Sequence, residues 1–254
     1  MAETLTLFHA SPLEYESSIL SKGITASGAE RYKVIEKDIL GLFDVVNMEE
    51  AREKLGRNTL IKLNKVLDGA ANRFASTSDV IYVAGDWTYA ALNCLAGYEV
   101  YNNIETWFPK RRLPQEPVGK FSRGVAPTDF PPPETLAEAR AMGDSVEGWP
   151  VCTLYVIEVP VAELPVDKMA KLYDFIDRTL AGEEDMLSMF YDISDRSQHE
   201  LYGNLPYKER VKNIWKAAYL REVRVERNRI PKSWVKSHFR IPFLGGLEWN
   251  VRRE

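Results

Sequence analysis

Cys152-Thr153-Leu154-Tyr155-Val156-Ile157-Glu158-Val159-Pro160-Val161 decides the class of fold. β-Branched and aromatic residues crowd this stretch and Pro160 closes it, which predicts a strand. Helical patterns surround it. Asp167 to Leu180 sets Met169, Leu172, Phe175, Ile176 and Leu180 on one side and stops at Gly182. Upstream, Thr4 to His9 alternates as a second short strand. Ser11-Pro12 then predicts a helix start, with serine as cap and proline at the first helical position. That helix carries Leu13, Ser17, Ile19 and Leu20 and stops at Gly23. Residues 28–73 are mostly helical in pattern, from Met48 to Leu55 and from Leu60 to Leu67. Ser76 to Asp79 reads as a turn, Val80 to Val83 as a strand, and Asp86 as the cap of a helix through Leu95 ended by Gly97. Further helices are expected over Glu183 to Tyr191 and Pro206 to Leu220, then a strand over Glu222 to Val225. The chain closes through Phe239, Ile241 and Phe243 into a basic, glycine-containing tail. Strands and helices come in mixed order, without a regular β-α-β repeat. The expected class is α+β, not a doubly wound sheet.

Between Phe108 and Pro133 stand seven prolines in 26 residues, a density that excludes regular helix and central strand. This segment, 108–133, is expected to be an extended surface insertion within a single domain spanning residues 1–254, followed by a short helix over Glu134 to Met142. A chain of 254 residues can bury a sizeable core, and 45% hydrophobic with 28% charged residues is the composition of a folded protein. The net charge of −4 argues against a dedicated, uniformly basic nucleic-acid binder but leaves room for a local basic patch. Cys94 and Cys152 sit in apolar surroundings and read as buried reduced thiols. His9, His199 and His238 show no ligand spacing, so no metal is expected. The chain opens on a β-pattern with no leader and no apolar run long enough to span a bilayer. A cytoplasmic location is the expectation.

Three short stretches carry chemistry. Leu7-Phe8-His9-Ala10-Ser11 ends a strand on an imidazole and a hydroxyl, with Ile19-Leu20-Ser21-Lys22-Gly23-Ile24 behind it. Val80-Ile81-Tyr82-Val83-Ala84 sets a tyrosine in an apolar strand, before Thr88-Tyr89-Ala90-Ala91-Leu92. Glu222-Val223-Arg224-Val225 opens a late strand on a carboxylate, and Ile230-Pro231 follows. Each residue has a plain alternative: His9 as a core or rim residue, Tyr82 as packing, Glu222 as a solvated carboxylate beside Arg221 and Arg224. In this order, the three stretches resemble the H-Y-E constellation of the ADP-ribosyltransferases.

The resemblance implies two short packed β-sheets around an NAD+ cleft, with added helices. It implies that His9, with Ala10 and Ser11, binds NAD+ through a ribose hydroxyl, and that Tyr82 stacks on nicotinamide. An electron-rich ring face suits that cationic ring. Glu222 would be the catalytic residue, stabilising the oxocarbenium character that builds as the nicotinamide–ribose bond breaks. Glu226 competes for that role, and Tyr89 and Tyr98 for that of Tyr82. The arginine-modifying branch carries Glu or Gln two positions before its catalytic glutamate. Leu220 stands there in this chain, which disfavours protein arginine as acceptor. The implied function is transfer of ADP-ribose from NAD+ to a protein or nucleic acid, as a toxin or effector acting in its own or a target cell's cytoplasm. A neutralising antitoxin or immunity protein would be its partner. An NAD+ glycohydrolase with the same site, or a non-catalytic binding module, stands as the alternative. Trp107-Phe108 with Lys110-Arg111-Arg112 suits phosphate and base contacts but also an ordinary solvated loop. Glu183-Glu184-Asp185 reads as an acidic helix start, and His199 has no partner that the sequence names.

Overall fold

The computed structural model describes residues 3–26, 28–74, 80–96, 107–108, 137–138, 140–141, 151–183, 205–225 and 227–242. The strands are β1 (Thr4–Pro12), β2 (Ile24–Thr25), β3 (Ile81–Val83), β4 (Val151–Pro160), β5 (Val223–Val225), β6 (Arg229–Ile230) and β7 (Val235–Pro242). The helices are α1 (Glu16–Lys22), α2 (Gly28–Gly41), α3 (Met48–Lys54), α4 (Arg57–Phe74), α5 (Trp87–Ala96), α6 (Val166–Leu180) and α7 (Tyr207–Tyr219). Every pairing between named strands is antiparallel, and the fold is a mixed α and β one of the α+β kind.

The apolar stretch read first is the middle strand of the largest sheet, ordered β1-β4-β7. Being covered on both edges and both faces, β4 needs apolar residues at nearly every position. Its register pairs Leu7 with Ile157, His9 with Tyr155 and Ser11 with Thr153. Alternation along β1 sends Phe8 and Ala10 to one side and Leu7 to the other. The first side is a core shared with α2, α4 and α5, through Ile35, Ile39, Leu63, Val66 and Trp87. The second joins Tyr155, Ile157 and Val159 to Met169, Leu172 and Ile176 of α6 and Val211 and Trp215 of α7. Leu7, Leu154 and Ile157 are wholly buried, and each such side chain contributes about 1.5–3 kcal/mol. The helices thus flank the sheet on both faces, and the site lies at its β1 edge.

Several expectations are corrected. Ser11 does not cap a helix: β1 runs on through Pro12, paired with Cys152, and Ser11 Oγ donates to the Pro12 carbonyl at 3.3 Å. Strand pairing satisfies the backbone that a cap would have served. A 3-10 turn, Leu13–Tyr15, precedes α1. In place of two short sheets there are three among the described residues: the main sheet and the two-stranded pairs β2-β6 and β3-β5. Asp86 does cap α5, accepting from Thr88 N at 3.0 Å. Gly23 ends α1 as read, at φ 90°, with its N–H on Ile19 O at 2.8 Å. The turn at 76–79, nearly all of the proline-rich segment, the helix at 183–191 beyond its first residue, and Phe243 lie outside the described residues. Of the helix expected over 134–142, residues 137–138 and 140–141 are described and helical.

Candidate functional site

The β1 edge is where the three motifs meet. Phe8 and Ala84 exchange both backbone hydrogen bonds, at 2.7 and 2.8 Å, forming a single bridge between β1 and the end of β3. Next to that bridge His9 Nδ1 lies 3.0 Å from Tyr82 O. A carbonyl only accepts, so Nδ1 carries the proton and a neutral ring keeps its lone pair on Nε2. Strand β3 in turn pairs with β5, Tyr82 opposite Arg224 and Val83 opposite Val223. The pairing ends at Val83 and Val223, and Glu222 is the residue immediately before β5. His9 and Tyr82 therefore lie on neighbouring strands and Glu222 stands one residue before the next, although 73 and 140 residues separate them in sequence.

The faces are not all shared. Ile81, Val83, Val223 and Val225 turn into the core, and alternation sets Tyr82, half-buried, with the exposed Arg224 and Glu222 on the opposite face. His9 alternates with Phe8 and Ala10, so its ring meets the Tyr82 main chain and not the Tyr82 ring. Glu222 is fixed at its backbone: Lys168 Nζ of α6 donates to its carbonyl at 2.7 Å. Ala10 is a core residue paired with Leu154. Glu226 lies outside the described residues.

Beside His9 the sheet carries a polar row that sequence reading missed. His9, Tyr155 and His238 are opposite one another on β1, β4 and β7, and so are Ser11, Thr153 and Arg240. The Tyr155 ring stacks on His238 at 6.3 Å between centroids and is tilted to His9 at 6.4 Å. Thr153 Oγ1 donates to Glu16 Oε2 at 2.6 Å, and Arg240 Nη2 lies 3.2 Å from Glu16 Oε1. Burial pushes the Glu16 carboxyl up, but the Thr153 hydroxyl and the Arg240 guanidinium outweigh it and leave it below the usual range. The Tyr155 hydroxyl is buried and has no hydrogen bond of ordinary geometry among the described residues. Burial drives its pKa up to about 12, against a smaller opposing effect of the hydroxyls of Ser11 and Thr153 beside it. Alternation within 152–161 already set Thr153 and Tyr155 on one face. Their match to His9 and Ser11 needed the strand register, and Glu16 and Arg240 are 224 residues apart.

A second group missed from sequence lies where β3 turns into α5. Lys216 is buried, with Nζ donating to Asn213 Oδ1 at 3.1 Å, and Asp86 is buried nearby. Burial lowers the Lys216 ammonium to about 8, and the Asp86 charge resists that fall. Gly85 makes the close approach possible, since a Cβ there would sit 2.2 Å from Lys216 O. Cys94 and Cys152 are buried free thiols in contact, and the Cys94 thiol together with burial drives the Cys152 pKa well above the ordinary one. Among the described residues, no His, Cys, Asp or Glu side chains cluster in threes as metal ligands would, and no helix is long and apolar enough to cross a membrane. Comparison with protein-family models, curated proteins and solved structures finds no match to the chain.

Proposed function

We propose that the protein is an NAD+-dependent ADP-ribosyltransferase. The observation that supports this reading is that β1, β3 and β5 are neighbours, which brings the backbones of the three motifs together although their side chains do not all share one face. His9, held by its Nδ1 contact to Tyr82 O, takes the place of the ribose-binding histidine in the resemblance. Ser11 adds a hydroxyl two residues on along the same strand face. Tyr82 supplies an aromatic face to nicotinamide. Glu222 accepts the ribose 2′-hydroxyl and stabilises the positive charge that develops at the anomeric carbon. The nicotinamide nitrogen leaves with the electron pair of the broken bond, and the acceptor atom forms the new bond to that carbon. A carboxylate is suited to this task because the charge it answers is larger in the transition state than in the bound substrate.

Glu222→Gln keeps size and one acceptor but removes the charge, so turnover should fall by about 10²- to 10³-fold, about 3–4 kcal/mol. NAD+ affinity should change far less, which places the loss in kcat. Single-turnover assays with labelled NAD+ and whole lysate, beside calorimetry of NAD+ binding, measure both. If Glu226→Gln shows this pattern and Glu222→Gln does not, the site stands with its carboxylate four residues later. Label released as free ADP-ribose would make water the acceptor and the protein a glycohydrolase. A wild type that neither binds nor consumes NAD+ would leave a non-catalytic module. The toxin or effector setting belongs to the same proposal. Expression of the wild type in a host cell's cytoplasm should arrest growth, and Glu222→Gln should relieve the arrest.

A further inference from the structure

Charge is unevenly divided along this chain. Residues 205–242 hold eleven Lys and Arg against three Glu, a net +8 in a protein of net −4, so the remaining residues carry −12. The basic segment is the one that contains β5 and Glu222. Among the described residues, three of its cations are cancelled by carboxylates: Arg227 by Glu163, Lys236 by Glu158 and Arg240 by Glu16. Others are not. Arg229, exposed, donates to the main-chain carbonyl of Lys22, and Lys168 of α6 reaches in to the carbonyl of Glu222; neither bond cancels a charge. Lys208, Lys212 and Lys232 are exposed along the same segment. The Arg221 Nε is buried without a hydrogen-bond partner among the described residues, one position from Glu222.

Aromatic rings interleave with these cations. Arg221 lies over Tyr89 at 4.9 Å from the ring centroid, Arg227 over Trp234 at 5.4 Å and Arg210 over Tyr207 at 5.8 Å. A surface that only attracts carboxylates has no use for flat platforms between its charges. Phosphates alternating with unstacked bases use both. We propose that the acceptor presented to Glu222 is a single-stranded nucleic acid, held along the basic and aromatic segment 205–234. Its role as acceptor rests on the transferase reading above. In the transfer, a nitrogen or oxygen of the nucleic acid supplies the electron pair of the new bond to the anomeric carbon. Nicotinamide departs with the pair of the old bond, and the acceptor's proton goes to solvent.

The surface is tested without NAD+. Fluorescence anisotropy with labelled 20-nucleotide single strands of DNA and of RNA, a duplex, and polyglutamate is measured over a range of salt. Both kinds of single strand, or one of them, should bind more tightly than duplex or polyglutamate. Lys168→Gln, Arg229→Gln and Lys232→Gln combined should weaken binding at least about tenfold at low salt and flatten the log–log salt slope by about 2. Lys33→Gln with Lys37→Gln on α2 should change neither. If the triple variant has a lowered unfolding midpoint, Lys232→Gln alone carries the test, with a slope change of about 0.7. No binding of single strands by the wild type, or an equal loss in the α2 control, overturns the proposal, and so does preference for polyglutamate. With labelled NAD+ and lysate, label removed by nuclease supports it, and label confined to protein overturns it. Binding of single strands by a protein that calorimetry shows not to bind NAD+ would remove the acceptor role and the transferase reading, and leave the surface as a nucleic-acid site.

Discussion

Tyr82 shows how far one residue's surroundings constrain its work. Its main-chain carbonyl is taken by His9, its strand neighbours Ile81 and Val83 fill the core, and its own ring is left half-buried beside Arg224. Packing alone would have drawn the ring inward. Replacing it with alanine should weaken NAD+ by roughly 1–3 kcal/mol, through lost aromatic burial and lost attraction to the cationic ring. Tyr82→Phe should leave affinity nearly unchanged. Calorimetry that finds alanine as tight as tyrosine would return Tyr82 to a packing role. His9, Tyr82 and Glu222 could be picked out in sequence because each lies in or beside a short apolar pattern, while the roles given to them rest on the resemblance. Tyr155, Glu16 and Lys216 were not, since the meaning of each depends on a partner that only the folded register supplies.

At the scale of elements, α1 and β6 are joined at Gly23. The residue holds a left-handed φ of 90°, and an added Cβ would lie 2.2 Å from Ile230 O and 2.9 Å from Lys232 N. Gly23→Ala should therefore cost more than about 2 kcal/mol, from backbone strain and from separation of β2 from β6. Urea unfolding should show a lower midpoint at an unchanged slope. A midpoint equal to the wild type would mean that the α1–β6 junction yields at little cost. Helix stops of this kind were readable, because glycine after an amphipathic run has a local cause. The extension of β1 through Pro12 was not. Ser11-Pro12 has the local chemistry of a helix start, and pairing with Cys152 and Thr153 overrode it. The short strands β2 and β6, two residues each, leave no periodic trace at all.

Over the whole molecule, stability should depend on pH through Lys216. In the native state its ammonium loses a proton near pH 8, against 10.5 for an exposed lysine. Between those values the unfolded chain binds more protons, so stability rises with pH. Relative to Lys216→Met, the wild type should gain about 2 kcal/mol between pH 7.5 and 9.5. The phenols of Tyr155 and Tyr173, both driven mainly by burial up to about 12, act in the opposite sense and only above pH 10. Denaturant titrations at the two pH values measure the gain, and parallel profiles for wild type and variant would show that Lys216 keeps its proton. The α+β class was legible because alternation and helical periodicity are local. The division of β3 and β5 from the main sheet was not, for it is settled by which edges meet.

That division leaves the proposed NAD+ site straddling a seam whose backbone is closed, among the described residues, by the single bridged pair Phe8 and Ala84. The amide protons of Phe8 and Ala84 are each other's lock: an opening that frees one frees both. In deuterated water the two should exchange at matching rates, faster than Leu7 or Ile157 inside the sheet. A ligand spanning β1 and β3 should slow the pair together and leave the sheet interior unchanged. Unequal rates for the two amides would mean that the strands part by fraying from one side, and that the cleft is not gated as a unit.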